Sequence, residues 1–155
     1  MYKRQFRAHL INNHILAQAV LPGMQEAGYG RIINIISTSV KTPLPNLGVS
    51  NTVRGAVASW AKTLANEVGM HGITVNNVLP GATETERLNS ILQRKSERSG
   101  RSMDEEAAIM AAEIPMRRFG KPQETAAAVA FLAGPDAGYI NGVNLPVDGG
   151  RTASL

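Results

Sequence analysis

Cysteine is absent from this chain, which excludes disulfides, a thiolate nucleophile and cysteine-ligated zinc. Histidine is scarce: His9, His14 and His71 share no recognisable ligand spacing, so no metal site is expected. No run approaches the roughly 18 consecutive apolar residues of a membrane-spanning helix. The opening Met1-Tyr2-Lys3-Arg4-Gln5-Phe6-Arg7 leads into a polar-punctuated pattern without a signal-peptide core, and a cytoplasmic protein with no membrane contact is the expectation. A glycine-rich phosphate turn between a strand and a helix is also missing. The only Gly-x-Gly, Gly28-Tyr29-Gly30, precedes a strand-like run and reads as a turn.

What is present begins with 155 residues, 43% of them hydrophobic, enough for one modest core and for a single domain or part of one. The net charge is +4, which raises the question of nucleic acid. Its basic residues are scattered over Lys3 to Arg7, Arg87 to Arg101 and Arg117 to Lys121, with Glu97, Asp104, Glu105 and Glu106 among or beside them. That pattern fits solvated faces, and no nucleic-acid partner is expected.

Apolar residues at Phe6, Leu10, Ala17 and Leu21 recur at helical spacing, predicting a helix that ends near Pro22-Gly23. Ile32-Ile33-Asn34-Ile35-Ile36 is a β-branched run of strand length, expected to be buried on both sides as in a parallel sheet. Pro43 and Pro45 mark Lys41 to Gly48 as a loop. The stripe Val49, Val53, Val57, Trp60, Leu64, Val68 then predicts a long amphipathic helix, with Trp60 in a core or interface. A second buried strand is expected over Ile73 to Leu79 after the break at Gly69 to Gly72. Ser102-Met103-Asp104-Glu105 has the form of a capping box that starts a helix at Met103. A further helix is expected from Pro122 to Ala133, and a last strand within Tyr139 to Val147, interrupted at Gly142, whose parallel pairing is expected over Asn144 to Val147. Strands alternating with helices of this length imply an α/β fold with an open parallel sheet.

Four segments now stand in a telling order: Arg31 to Ser37 (RIINIIS), the helix from Gly55 to Val68, Val75-Asn76-Asn77-Val78-Leu79-Pro80-Gly81, and Val147-Asp148-Gly149-Gly150. Together they resemble the C-terminal half of a short-chain dehydrogenase/reductase, nearest the β-ketoacyl-carrier-protein-reductase-like members. The resemblance implies that residues 1–155 are the C-terminal portion of a Rossmann-like doubly wound sheet. Three strands with flanking helices would remain, Met1 would fall in the helix after the fourth strand, and the first four strands would be absent. Residues 86–118 would form the substrate lid. It further implies NAD or NADP as cofactor, a small carbonyl or alcohol as substrate, and a homo-oligomer built through the helices at 6–21 and 49–68.

The family's serine matches Ser37, and its tyrosine, 13 residues on, is replaced by Ser50. The lysine four beyond is replaced by Arg54, and the asparagine of the preceding helix by His9. A subgroup resembling the ketoacyl reductases shows Ser-Asn-x-x-Arg in this place, so the substitutions read as a lineage trait. A serine hydroxyl is far too weak an acid to replace a phenol, and Ser50 reads as a helix N-cap. Arg54 keeps the cationic charge that could hold a ribose. His9, a residue type that titrates near neutrality, is a candidate substitute proton donor, set against its default reading as a capped or core-edge histidine. Ser37 could equally be a strand-end turn residue. Pro80, Gly81 and Thr85 resemble the family's Pro-Gly-x-x-x-Thr, which contacts the nicotinamide carboxamide, with glycine permitting close backbone approach. The competing reading is a non-catalytic paralogue or fragment that acts only through its oligomer-forming helices.

Overall fold

The two β-branched runs become strands, and a computed structural model of the protein describes residues Tyr2–Ala153 around them. Strand β1 (Gly30–Ile35) pairs in parallel with β2 (Ile73–Pro80), and β2 in parallel with β3 (Asn144–Val147), in the order β1-β2-β3. The α/β fold with a parallel sheet is therefore as the alternation of strands and helices implied. Strand β2 is the central one, and every residue from Ile73 to Leu79 is buried. Strand β1 departs from expectation: Ile35 is 53% exposed. The cause is topological, because β1 is the sheet's edge and pairs with a neighbour only on its β2 side.

The chain enters through α1 (Tyr2–Phe6), a π-helical turn (Arg7–Ile11) and α2 (Asn12–Ala27). The predicted stop at Pro22-Gly23 is wrong, since α2 runs through Pro22 to Ala27. Proline removes one i→i−4 hydrogen bond, but Leu21 and Met24, on either side of it, pack against the core of Ala17, Leu64 and Val75. Packing carries the helix past the proline. Gly28 closes it at φ 61°, its N–H reaching the carbonyls of Gln25 and Met24, so Gly28-Tyr29-Gly30 is the turn expected. Gly72 (φ 71°) abuts that turn, and a Cβ there would lie 2.3 Å from the Gly28 carbonyl oxygen. The expectation that Met1 is helical falls outside the described residues.

Helix α3 (Gly48–Val68) buries Val53, Val57, Ala61, Leu64, Ala65 and Val68, the inward stripe of the pattern. Each fully buried aliphatic side chain contributes about 1.5–3 kcal/mol. Trp60 is half-buried beside this core and meets His14 of α2 edge-on, with ring centroids 6.3 Å apart.

An asparagine ladder crosses the sheet through this layer. Asn13 of α2 donates to Asn34 (3.1 Å), Asn34 to Asn77 (3.0 Å), and Asn77 to Asn144 (2.8 Å). The three strand members are register partners, so a slip of one residue would separate them and bury unpaired amides. Asn77→Ala strands the donor of Asn34 and the acceptor of Asn144 at once. The expected loss is about 2–6 kcal/mol, since each buried unsatisfied group costs about 1–3. Urea denaturation measures it, and a loss below 1 kcal/mol would show that the ladder carries little.

The second half begins with α4 (Glu86–Ser99), ended by Gly100, followed by α5 (Met103–Ala112) with the predicted capping box formed in both directions. Helix α6 (Pro122–Ala133) has the predicted bounds. The last strand pairs over Asn144–Val147, as predicted, because the stretch before it is spent on side-chain and loop bonds. Asn141 accepts from the Val75 N–H and donates to the Ala65 carbonyl, while Tyr139 is fully exposed.

Glu124 clasps the start of α6. It takes two hydrogen bonds from Arg118 (2.7 and 2.6 Å) and one from the Lys121 N–H (2.7 Å), chiefly the Arg118 bonds lowering its pKa from 4.5 to about 2. A depressed carboxylate stabilises the fold above its ordinary value and loses that contribution as pH falls toward about 2. The stability gap between the parent and Glu124→Gln should therefore be present at pH 7 and close between pH 4.5 and about 2. The pair is solvent-exposed, so salt should also narrow the gap. Melting at several pH values tests this.

Candidate active site

Parallel α/β sheets bind ligands beyond the C-terminal ends of their strands, and four of the predicted residues follow those ends. Ser37 lies just past β1. Its Oγ accepts the Ser39 N–H (3.1 Å) and caps the 3₁₀ turn Thr38–Val40. It is thus a strand-end turn residue in structure, but accepting that bond leaves its own O–H free to donate. The turn packs against α3, the helix that carries Ser50 and Arg54.

Ser50 is not the N-cap it was expected to be. Helix α3 starts two residues earlier, at Gly48, with Leu47 as an N-cap that makes no side-chain bond. The residue that fixes this entry is Asn51, whose amide donates to the Leu44 carbonyl (2.9 Å) and accepts the Leu44 N–H (3.5 Å). Sequence reasoning passed over Asn51, although it is the second member of Ser-Asn-x-x-Arg. Its clasp draws the Pro43–Pro45 loop onto the helix and leaves Ser50 within the first turn.

Ser50 and Arg54 are four apart on one helix and share a face. Arg54 is half-buried, and its Nε has no hydrogen-bond partner among the described residues. Burial lowers its pKa, and it takes part in none of the three ion pairs found among those residues. His9 sits in the π-helical turn, which packs on α3. Burial first, and the Arg54 charge second, hold its imidazole below the usual histidine range. The π turn that holds His9 and the helix that holds Arg54 thus pack on each other, near enough for the Arg54 charge to act on the imidazole. The apolar spacing did not announce the π turn, in which the Asn12 N–H reaches back to the Arg7 carbonyl.

Pro80 ends β2, and Gly81 follows it. The close approach that makes glycine necessary at 81 is to this chain's own Asp148, where a Cβ would come within 2.7 Å of the Asp148 Cβ. Thr85 is exposed, caps α4 by position, and donates its hydroxyl to the Thr83 carbonyl (3.3 Å). It borders a cleft of about 430 Å³ with Glu84, Leu88, Leu92 and Phe119. A second cleft, of about 480 Å³, lies between the α6 entry and the end of β3, lined by Arg118, Lys121, Glu124, Pro146 and Asp148. It contains none of the predicted site residues.

The sequence profile of a family described as enoyl-(acyl carrier protein) reductase matches residues 2–152. The short-chain reductase protein NovJ of Streptomyces niveus is 39% identical over 130 residues, covering 83% of this chain and 47% of that protein. The 3-oxoacyl-[acyl-carrier-protein] reductase FabG of Vibrio cholerae is 39% identical over 137 residues, 87% of this chain and 51% of that one. Among solved structures, YwfH, an NADPH-dependent reductase involved in bacilysin biosynthesis, superimposes with a TM-score of 0.87 at 30% identity, over 94% of this chain and 56% of its own. The chain spans about half the length of the curated relatives it matches. On its sheet, its motifs and these likenesses together, the chain belongs to the short-chain dehydrogenase/reductase family.

Proposed function

We propose that this chain supplies the catalytic side of an NAD(P)-dependent oxidoreductase that interconverts a carbonyl and an alcohol, in the manner of the 3-oxoacyl reductases among its relatives. The observation that carries this reading is that the π-helical turn holding His9 packs on α3, the helix that carries Arg54 and against which the Ser37 turn also packs. Single π turns inside helices occur frequently at functional sites. The elements that carry His9 and Ser37 thus both pack on the helix of Arg54, and Ser50 lies on the Arg54 face.

In this reading the free O–H of Ser37 holds the carbonyl oxygen, and His9, not Ser50, handles the proton. A dinucleotide supplies hydride when bound. The backbone at Pro80 and Gly81 and the exposed Thr85 hydroxyl would hold its nicotinamide end, and the polar groups at the ends of β1 and β2 fit such a ligand. The segment 86–118, two helices linked at Gly100, is the proposed lid over the substrate. Cytoplasmic placement belongs to the same reading. No helix among the described residues is long and apolar enough to cross a membrane.

The test joins the chain behind a strand, glycine-rich turn and helix that bind the pyrophosphate, and follows NADPH oxidation with simple ketones. Ser37→Ala should slow turnover by about 10²–10³, the usual effect of removing one oxygen-binding donor. Turnover indifferent to that change would remove Ser37 from the mechanism.

One observation favours the second reading, association without chemistry. Ile11, Ile15, Leu16 and Val20 are all exposed along the π turn and α2, an apolar face suited to self-complementary packing. Leu16→Glu should then halve the particle mass in sedimentation. An unchanged mass would exclude α2 from the contact.

A further inference from the structure

The unpartnered cation at the site points to what its ligand carries. A guanidinium does not deprotonate in proteins, and one taken partly out of water without a counter-charge is costly unless something anionic meets it. Arg54 is in that condition: half-buried, its Nε enclosed and unbonded, in none of the ion pairs among the described residues. Buried polar atoms in folded proteins are hydrogen-bonded in the great majority of cases, so an orphan asks for an explanation. The remainder of the surroundings does not answer the charge. His9, in the π turn that packs on α3, responds to burial and to the Arg54 charge and to no carboxylate. On α3 itself the first turn has no acidic residue.

Resting on the oxidoreductase reading above, we infer that Arg54 and His9 bind the carboxylate of the substrate, so that the enzyme's substrates are oxo acids or their hydroxy acids. The guanidinium fork offers parallel N–H donors to the two oxygens of a carboxylate, and the imidazole is the second donor. The pairing also changes His9. A negative charge placed between the two residues opposes the Arg54 charge and raises the imidazole pKa from its lowered value toward neutrality, where an acid–base group works best. An acidic substrate would thus prepare its own proton donor. Ser50, on the Arg54 face, then serves as a small residue that leaves room for the carboxylate.

The experiment uses the 155-residue chain and three probe acids, pyruvate, acetoacetate and levulinate, each beside its methyl ester. The His9 imidazole is followed by NMR across pH 5–8, with His9→Gln to assign the signal. At least one acid at millimolar concentration should raise the His9 midpoint by about one pH unit, the size expected of one nearby charge, while its ester leaves it in place. Arg54→Gln should abolish the response and Arg54→Lys restore part of it, with unchanged circular dichroism showing that both variants fold. A response to ester and acid alike, one that survives Arg54→Gln, or an equal response to inorganic phosphate overturns the carboxylate assignment. So does weakened nicotinamide mononucleotide binding in Arg54→Gln with the acid response intact, since Arg54 would then belong to the cofactor. The acid response without any turnover in the completed protein would uphold the pair and sink the reductase reading. Equal turnover of acids and esters would do the reverse.

Discussion

Ser50→Tyr combined with Arg54→Lys, made in the chain joined to a dinucleotide-binding half, is expected to raise the reduction of a neutral ketone by about 10²–10⁴, the usual contribution of a positioned general acid. A phenol titrates near ~10 and can be drawn toward neutrality by an adjacent ammonium, which an aliphatic hydroxyl cannot match. The structure supports the placement. Ser50 lies in the first turn of α3 without a capping bond to lose, only partly buried, one turn from Arg54 and on the helix that faces the Ser37 turn. The substituted ring therefore has somewhere to go. The outcome is read as kcat/KM for a ketone without a carboxylate, so that loss of the Arg54 fork is not confounded with gain of the acid. If the unaltered protein already reduces such ketones rapidly and His9→Ala abolishes the activity, the imidazole works as the acid without a substrate carboxylate to raise its pKa, and position 50 is spectator. If neither form turns over while both bind cofactor, association through α2 becomes the better account.

The elements that the sequence made legible were those whose signals are local and redundant. Strand β2 shows in Ile73 to Leu79 because a central parallel strand is apolar on both faces. Helix α3 shows in five turns of apolar stripe, and α5 in the Ser102–Glu105 box, whose two bonds are both made. What stayed hidden depended on partners far along the chain. Nothing near Pro22 says that Leu21 and Met24 have a core to reach. Nothing near Ile35 says that β1 is an edge. The asparagine ladder had a signal that went unread: Asn34 and Asn77 sit buried inside strands and Asn144 opens a third, where an amide needs a buried partner.

The site divides in the same way. Spacing located Ser37, Ser50 and Arg54, since the 13-residue interval and the four-residue step are properties of the chain itself. It did not disclose that the start of α3 is set by Asn51 gripping Leu44, and so it misread Ser50 as a cap. It placed His9 without the π turn that presents it, and it assigned Gly81 to a cofactor when the contact that demands glycine is Asp148. In each case the reason for the residue type lay in a tertiary neighbour.

These 155 residues alone should bind NADH or NADPH only weakly, with no micromolar affinity detectable by calorimetry. A dinucleotide is long, and the residues proposed to hold it, Pro80, Gly81 and Thr85, would reach only its nicotinamide end. The chain's only Gly-x-Gly closes α2 and opens β1, in the wrong order to aim helix N–H groups at a pyrophosphate. Each missing charge-assisted hydrogen bond is worth about 1.5–3 kcal/mol, and every 1.4 kcal/mol is a tenfold change in Kd. Two or three such bonds therefore amount to roughly two to six decades. Supplying the pyrophosphate-binding half, fused or in trans, should restore the affinity. Its strand would also cover the open edge of β1, where Ile35 is exposed, so cofactor binding and thermal stability should rise together. Micromolar binding by the chain alone would mean that the cofactor grips a surface other than the one these residues define, and the cleft at the α6 entry, bordered by Arg118 and Lys121, would be the first place to look.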